Sequence, residues 1–383
     1  MERTRWGLVV LIFVGGLLAA AQFGKIALLL PVVAGAFDRP VTSVAFLVSV
    51  VGLMGLLLGS MAGGVAAGFG IGRTFLAGLV LGGSVSLAQA LMPPLGVFAI
   101  TRVVEGLAHL ALVVSGPPLM AAAASDRDRP LVMGLWAVFF GTSLAISAQI
   151  FPGILAAGGL PLLFALHGAA LLVLAAVLWR WVPRVPMVRV SLNPVAVHRA
   201  IYGSIRSMAP GLGFVCYTFL FIAAIAFLPG ALNRPALATI LPVVTLTSTL
   251  AGGALCSRFA PHHVAAVGYA GTALGSVGVA LGLPGAVEGC FLAMGLIPGA
   301  SFAAIPAWNA APGDRARATG AIAQLGNLGT VTGTPVFALT FAAGGMAALS
   351  LLMVTMSVLG LALALWSGRR ASGSVPAEVV NVP

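Results

Sequence analysis

Charge is the scarcest property of this chain. Only 7% of its 383 residues are charged, with eight acidic residues and a single lysine, Lys25. Soluble domains keep roughly a quarter of their residues charged, so the composition excludes one. Cysteine is nearly absent too. Cys216, Cys256 and Cys290 each stand alone within or beside apolar stretches, with no CxxC spacing and no histidine pair nearby. That excludes a disulfide framework or a metal cluster as an organising feature, and no metal or cofactor is expected. A primary pump is disfavoured by the lack of GxxxxGK[ST]. A membrane-embedded enzyme would need a carboxylate pair, a Ser/His arrangement or a metal cluster, and the acidic residues are too scattered to supply one.

Apolar length is what the chain has in place of charge: 60% of residues are hydrophobic and the mean hydropathy is +1.12. At about 20 apolar residues per helical span, the sequence predicts an all-α polytopic membrane protein with twelve transmembrane helices. They fall near 7–36, 41–62, 74–92, 95–120, 131–155 and 159–181, then near 208–230, 237–257, 264–284, 288–309, 320–343 and 346–367. The first run contains Ala19-Ala20-Ala21 behind Arg3 and Arg5, as a signal peptide does, but it continues to about Ala36 and reads as an uncleaved span. The expected domains are an N-terminal six-helix bundle (1–182), a cytoplasmic linker (183–207), a C-terminal six-helix bundle (208–370) and a disordered tail (371–383).

The net charge of +11 does not point to nucleic acid, because its distribution follows the spans. With a cytoplasmic N-terminus, fifteen arginines fall inside and only Arg39 and Arg234 outside. The positive-inside rule then places both termini in the cytoplasm of a cell with this protein in its cytoplasmic (inner) membrane. The six tryptophans fall toward the same interface and are expected as belt residues. In the linker, Asn193 and Pro194 suit a helix start, and a short amphipathic helix is expected on the membrane surface. Glycine, 50 residues, recurs at close-packing spacing as Gly55, Gly59 and Gly63 and again as Gly326, Gly329 and Gly333.

The two sets of six are related. GGVAAGFGIGR, Gly63 to Arg73, follows the second span, and GALCSRFAPHH, Gly253 to His263, follows the eighth. Asp128-Arg129 and Gly134 line up likewise with Asp314-Arg315 and Gly320, as a duplicated six-span unit would. This pattern resembles the major facilitator superfamily over nearly the whole chain. Its loop signature, roughly GxLaDRxGRR, survives as Gly63, Phe69, Gly70 and Arg73 and as Gly253, Leu255, Arg258 and Phe259, with Ala67 and Ser257 where the aspartate usually stands. RVVEG, Arg102 to Gly106, is similar to the family's fourth-span motif, and the antiporter motif of the fifth span is at most vestigial in GTSLAISAQIFPG. RVVEGLAHL with Pro117-Pro118 also resembles a group of small-solute transporters that includes cyanate-type permeases, without assigning cyanate.

Ionisable residues inside spans are the candidate site. Arg102, Glu105 and His109 share one helical face, and a charge at the bilayer centre costs about 2.5–3.5 kcal/mol on the mildest scale. The resemblance implies that spans one, four, seven and ten line a central cavity, which sets Lys25 across from that cluster. Three potential cations around one carboxylate suit a small anionic substrate. The alternative is that Arg102 or Lys25 merely neutralises Glu105 and fixes packing. Glu105 and His109 are the proton-coupling candidates, although a carboxylate held by two cations is hard to protonate. His167 reads as a packing residue. In the second half, Tyr217, Gln324 and Asn327 are candidate substrate contacts, and Pro298-Gly299 predict a bend or gate. Gly63, Gly70, Arg73, Gly253 and Arg258 are candidate conformational residues. The expected function is a monomeric secondary transporter of a small anion working by alternating access, possible proton coupling included; the alternatives are a drug or metabolite exporter of the same fold and, further off, a membrane-embedded enzyme.

Overall fold

A computed structural model describes residues 3–182, 187 and 193–373. In lipid every backbone N–H and C=O must be satisfied within the segment, so apolar runs of this length fold as helices. Among the described residues there is no strand. The N-terminal half comprises α1 (Trp6–Ala27), α2 (Leu30–Ala36), α3 (Val41–Val44), α4 (Phe46–Ser49), α5 (Gly52–Phe69), α6 (Ile71–Ala90), α7 (Leu95–Ala123), α8 (Arg129–Ala137) and α9 (Phe139–Leu178). The linker contributes α10 (Pro194–Tyr202). The C-terminal half follows as α11 (Ile205–Leu212), α12 (Val215–Ala231), α13 (Leu237–Leu255), α14 (Pro261–Ala280), α15 (Ala286–Met294), α16 (Leu296–Trp308) and α17 (Pro312–Gly373).

Ten helical stretches among the described residues are long and apolar enough to cross a membrane. Two of them are too long for one crossing. At about 1.5 Å per residue, the 40 residues of α9 and the 62 of α17 far exceed a hydrocarbon core of about 30 Å. Each breaks at a glycine pair, Gly158-Gly159 in α9 and Gly344-Gly345 in α17, with Gly159 at φ 66° and Gly345 at φ 56°. Positive φ is where glycine alone carries no Cβ penalty. The two breaks fall between the fifth and sixth and between the eleventh and twelfth spans expected from sequence. The second member of each pair also repeats the conformation of its counterpart, so the duplication is visible in the backbone as well as in the sequence.

Proline sets several other breaks, because it cannot donate to the carbonyl four residues back. α1 ends at Ala27, the residue that Pro31 leaves without a donor, and α15 ends at Met294, which Pro298 leaves likewise. The helix therefore breaks at Gly295, one turn before Pro298. Between α11 and α12 the gap is filled by a side chain: the Tyr269 hydroxyl donates to the Gly213 carbonyl at 2.8 Å and accepts from the Tyr217 amide at 3.0 Å.

Outward faces are apolar. On α7, Ile100, Val104 and Leu107 are exposed while Arg102 and Glu105 are fully buried, the inside-out arrangement of a helix between lipid and a polar core. Trp6, Trp179, Trp181 and Trp366 are exposed, as belt residues should be, but Trp136 and Trp308 are buried. Trp136 stacks on Phe139 at 4.7 Å and fills the space left by Gly16 and Gly116, so the glycines there make a socket for an indole. α10 begins at Asn193, whose side chain accepts from the Val195 and Ala196 amides at 3.0 and 3.2 Å. The rest of the linker, 183–186 and 188–192, and the tail from 374 onward lie outside the described residues, and α17 runs through 371–373.

Candidate functional site

The site is built on α1 and α7. Lys25, in the last turn of α1, places Nζ 2.5 Å from Glu105 Oε1. Arg102, one turn before Glu105 on the same face of α7, pairs with Oε2 through Nη1. Neutral groups complete the shell. Lys25 Nζ donates to Gln89 Oε1 at 2.7 Å and to Ser86 Oγ at 3.1 Å, both on α6, and Gln89 Nε2 donates to Glu105 Oε2 at 2.8 Å. Arg102 Nε donates to the Leu47 carbonyl of α4 at 3.0 Å, and the Phe164 ring of α9 lies 5.0 Å from Lys25 Nζ.

All of these partners belong to the N-terminal half, and Lys25, Arg102 and Glu105 are 0% exposed. The expectation that Lys25 and Arg102 face an open cavity is not met in this conformation. Ions taken out of water cost several kcal/mol each unless paired and hydrogen-bonded, and the bundle closes around them accordingly. The network is nonetheless unbalanced. It holds two cations and one carboxylate, Arg102 Nη2 has no partner, and both amide atoms of the buried Gln22, one turn before Lys25, are unpartnered.

His109 is the half-buried edge of this cluster. Its Nδ1 donates to the Ala19 carbonyl at 2.9 Å, and its ring meets Phe23 edge-on at 5.0 Å. From Phe23 a chain of rings crosses between the halves: Phe140 at 5.8 Å, then Phe221 at 6.4 Å, then Tyr217 stacked on Phe221 at 5.2 Å. The structure therefore brings His109 and Tyr217 to one aromatic seam.

Gln324 and Asn327 have a different place from the one expected. They lie where α17 crosses α5: Gln324 donates to the Leu56 carbonyl at 2.9 Å, and Asn327 fills the surface left bare by Gly52 and Gly55. Without side chains on α5, polar groups of α17 reach across to its backbone, and neither residue joins the Lys25 cluster. Gly70, at φ 102°, turns the corner between α5 and α6, with exposed Arg73 on the next turn. Arg258 is exposed at the equivalent corner between α13 and α14. Gly63 has open space around it, whereas Gly299 lets α16 approach the backbone of α13 at Gly253.

Sequence reasoning missed Ser86 and Gln89 and read His167 as packing. His167 Nδ1 lies 3.1 Å from Ser86 Oγ and Nε2 3.0 Å from the Leu18 carbonyl, so it joins the network through Ser86. The signal was present as Ser84, Ser86 and Gln89 in an otherwise apolar third span.

Residues 12–334 match the pattern of the Major Facilitator Superfamily. The chain belongs to that superfamily. Solved structures share its fold. A bacterial homolog of the human lysosomal transporter Spinster, in an inward-facing and occupied conformation, superposes with TM-score 0.74 at 14% identity, over 98% of each chain. The human organic anion transporter TETRAN gives 0.70 at 17% identity, over 93% of this chain and 98% of its own. At these identities the likeness concerns the fold alone. No curated protein matches the chain by sequence. Membership of that superfamily makes the chain a multi-pass membrane transporter of a small molecule.

Proposed function

We propose that this superfamily member carries a small anion, with an organic carboxylate the best fit, by alternating access between its two halves. The observation that supports this is the unbalanced network: two cations share one carboxylate, and the buried Arg102 Nη2 has no hydrogen-bond partner. An arginine fork matches a carboxylate in geometry and charge. The ring chain from Phe23 to Tyr217 supplies apolar contact for an organic body, and His109 stands between rings and charges. Rocking of the halves about this seam would open the cluster to solute.

The same charges suggest how a proton is coupled. A proton on Glu105 removes the only negative charge of the network, and an incoming anion restores it. Anion and proton would then travel together with the cluster's charge unchanged. The arginine bias gives the direction of insertion, with the linker and both termini on the cytoplasmic side of the inner membrane.

Proteoliposome uptake of a panel of labelled small anions, with and without a pH gradient, tests the reading. Lys25→Ala leaves an Arg102–Glu105 pair and Arg102→Ala a Lys25–Glu105 pair, so each variant keeps a balanced core and should fold. Each is expected to lose uptake of the anion that the wild type carries; wild-type uptake removes that residue from the site. The aromatic seam also favours a second reading, export of an aromatic organic anion, and whether the anions carried in the same panel are aromatic or small and non-aromatic separates the two.

A further inference from the structure

The linker helix α10 packs against the fold through the buried Ile201 and through polar contacts centred on one side chain. α10 lies across α5 and α17, and Gln324 of α17 ties all three together. Its Nε2 donates to the Leu56 carbonyl at 2.9 Å and lies 3.1 Å from His198 Nε2; its Oε1 accepts from the Tyr202 hydroxyl at 2.7 Å. His198 and Tyr202 stack on each other along α10, with centroids 5.9 Å apart and planes at 22°.

Donor and acceptor roles fix the proton on His198. An amide nitrogen has two hydrogens and no lone pair to offer, so His198 Nε2 must accept. Nδ1, 2.8 Å from the Pro194 carbonyl, must carry the hydrogen. Both amide hydrogens of Gln324 are then used, and its oxygen accepts from Tyr202. Protonating His198 sets one N–H against another. Turning the amide over does not repair the contact, because Oε1 would then face the Leu56 carbonyl. The arrangement forms only around a neutral imidazole.

We propose that His198, Tyr202 and Gln324 form a proton-sensitive latch, in which α10 clasps the α5–α17 seam while His198 is neutral and releases it when His198 takes up a proton. Histidine is the side chain whose unperturbed charge change falls between about pH 5 and 8. The charged and titratable groups around it come from three elements among the described residues. α5 offers none along Gly52–Phe69. On α17, Asp314 and Arg317 pair with each other and Arg315 donates to the Asn309 carbonyl at 2.9 Å. α10 itself adds Arg199 and Tyr202, and α11 adds Arg206. No carboxylate in this set is placed to hold the imidazolium in the latch.

Hydrogen–deuterium exchange on the full chain in lipid nanodiscs, corrected for the intrinsic pH dependence of exchange, reads the latch directly. Between about pH 8 and about pH 5.5, protection of the α10 peptide should fall roughly three- to tenfold, the scale of one net hydrogen bond. In His198→Gln the side chain offers an acceptor that does not titrate, and the step should vanish while protection at high pH remains. Tyr202→Phe should lower protection at both pH values and keep the step. A wild type with no step, or an equal step in His198→Gln, overturns the proposal. His198→Asn serves the same purpose should the glutamine variant express poorly.

Discussion

The Lys25 ammonium and the Glu105 carboxylate touch at 2.5 Å, although one comes from the end of α1 and the other from the middle of α7. That contact joins two helices on which the candidate site rests. Because Arg102 takes the other oxygen, Glu105 is the single counter-charge for two buried cations. Removing it is a different perturbation from removing either cation.

Glu105→Gln leaves Lys25 and Arg102 buried without a counter-ion, which should cost about 3–5 kcal/mol. Thermal unfolding in detergent should show a large drop in midpoint. Lys25→Met/Glu105→Gln returns the cluster to its original net charge and should recover part of the loss. A double variant no more stable than the single one would mean that charge balance is not what the network supplies.

The same Glu105→Gln variant tests coupling. It should still exchange labelled anion across the membrane, yet fail to accumulate it against a gradient at any imposed pH difference. Accumulation equal to wild type would remove Glu105 from coupling. A transported anion should also raise the unfolding midpoint of this variant more than that of the wild type, since it restores the missing negative charge.

Gly106 faces the α5 side of the bundle so closely that a Cβ there would run into the Val51 carbonyl. Gly106→Ala should destabilise by about 1–3 kcal/mol, as overpacking does. Gly63→Ala, with nothing near its Cβ position, should leave the unfolding midpoint unchanged. Equal melting of the two variants would contradict the packing of α5 on α7.

Tyr269→Phe deletes the hydroxyl that bridges the break between α11 and α12. Two buried backbone groups, the Gly213 carbonyl and the Tyr217 amide, then lose their partner. A loss of about 1–3 kcal/mol is expected. Preserved stability would indicate that the helices close the gap with a direct bond.

Much of the fold was legible as sequence. Apolar runs gave the all-helical, membrane-spanning class, and the matching loops gave the duplication that the glycine pairs of α9 and α17 repeat in the backbone. The break at Gly295 was foreshadowed by Pro298, offset by the one turn over which a proline acts. The buried Trp136 and Trp308 were not legible, because a tryptophan near a span end reads as a belt residue until its neighbours are placed: Gly16 and Gly116 around Trp136, and Ala209, Ala304 and Ala371 around Trp308.

The sequence by itself determined that ions lie at membrane depth and which residues they are, since solvation makes each such ion conspicuous in an apolar run. Only the tertiary structure decided who pairs with whom. Ser86, Gln89 and His167 enter the network through contacts between helices distant along the chain, and Gln324 leaves the expected cavity for a seam that bare glycines on α5 permit. Periodicity within one helix reports which face is polar; it carries no information about which other helix that face will meet.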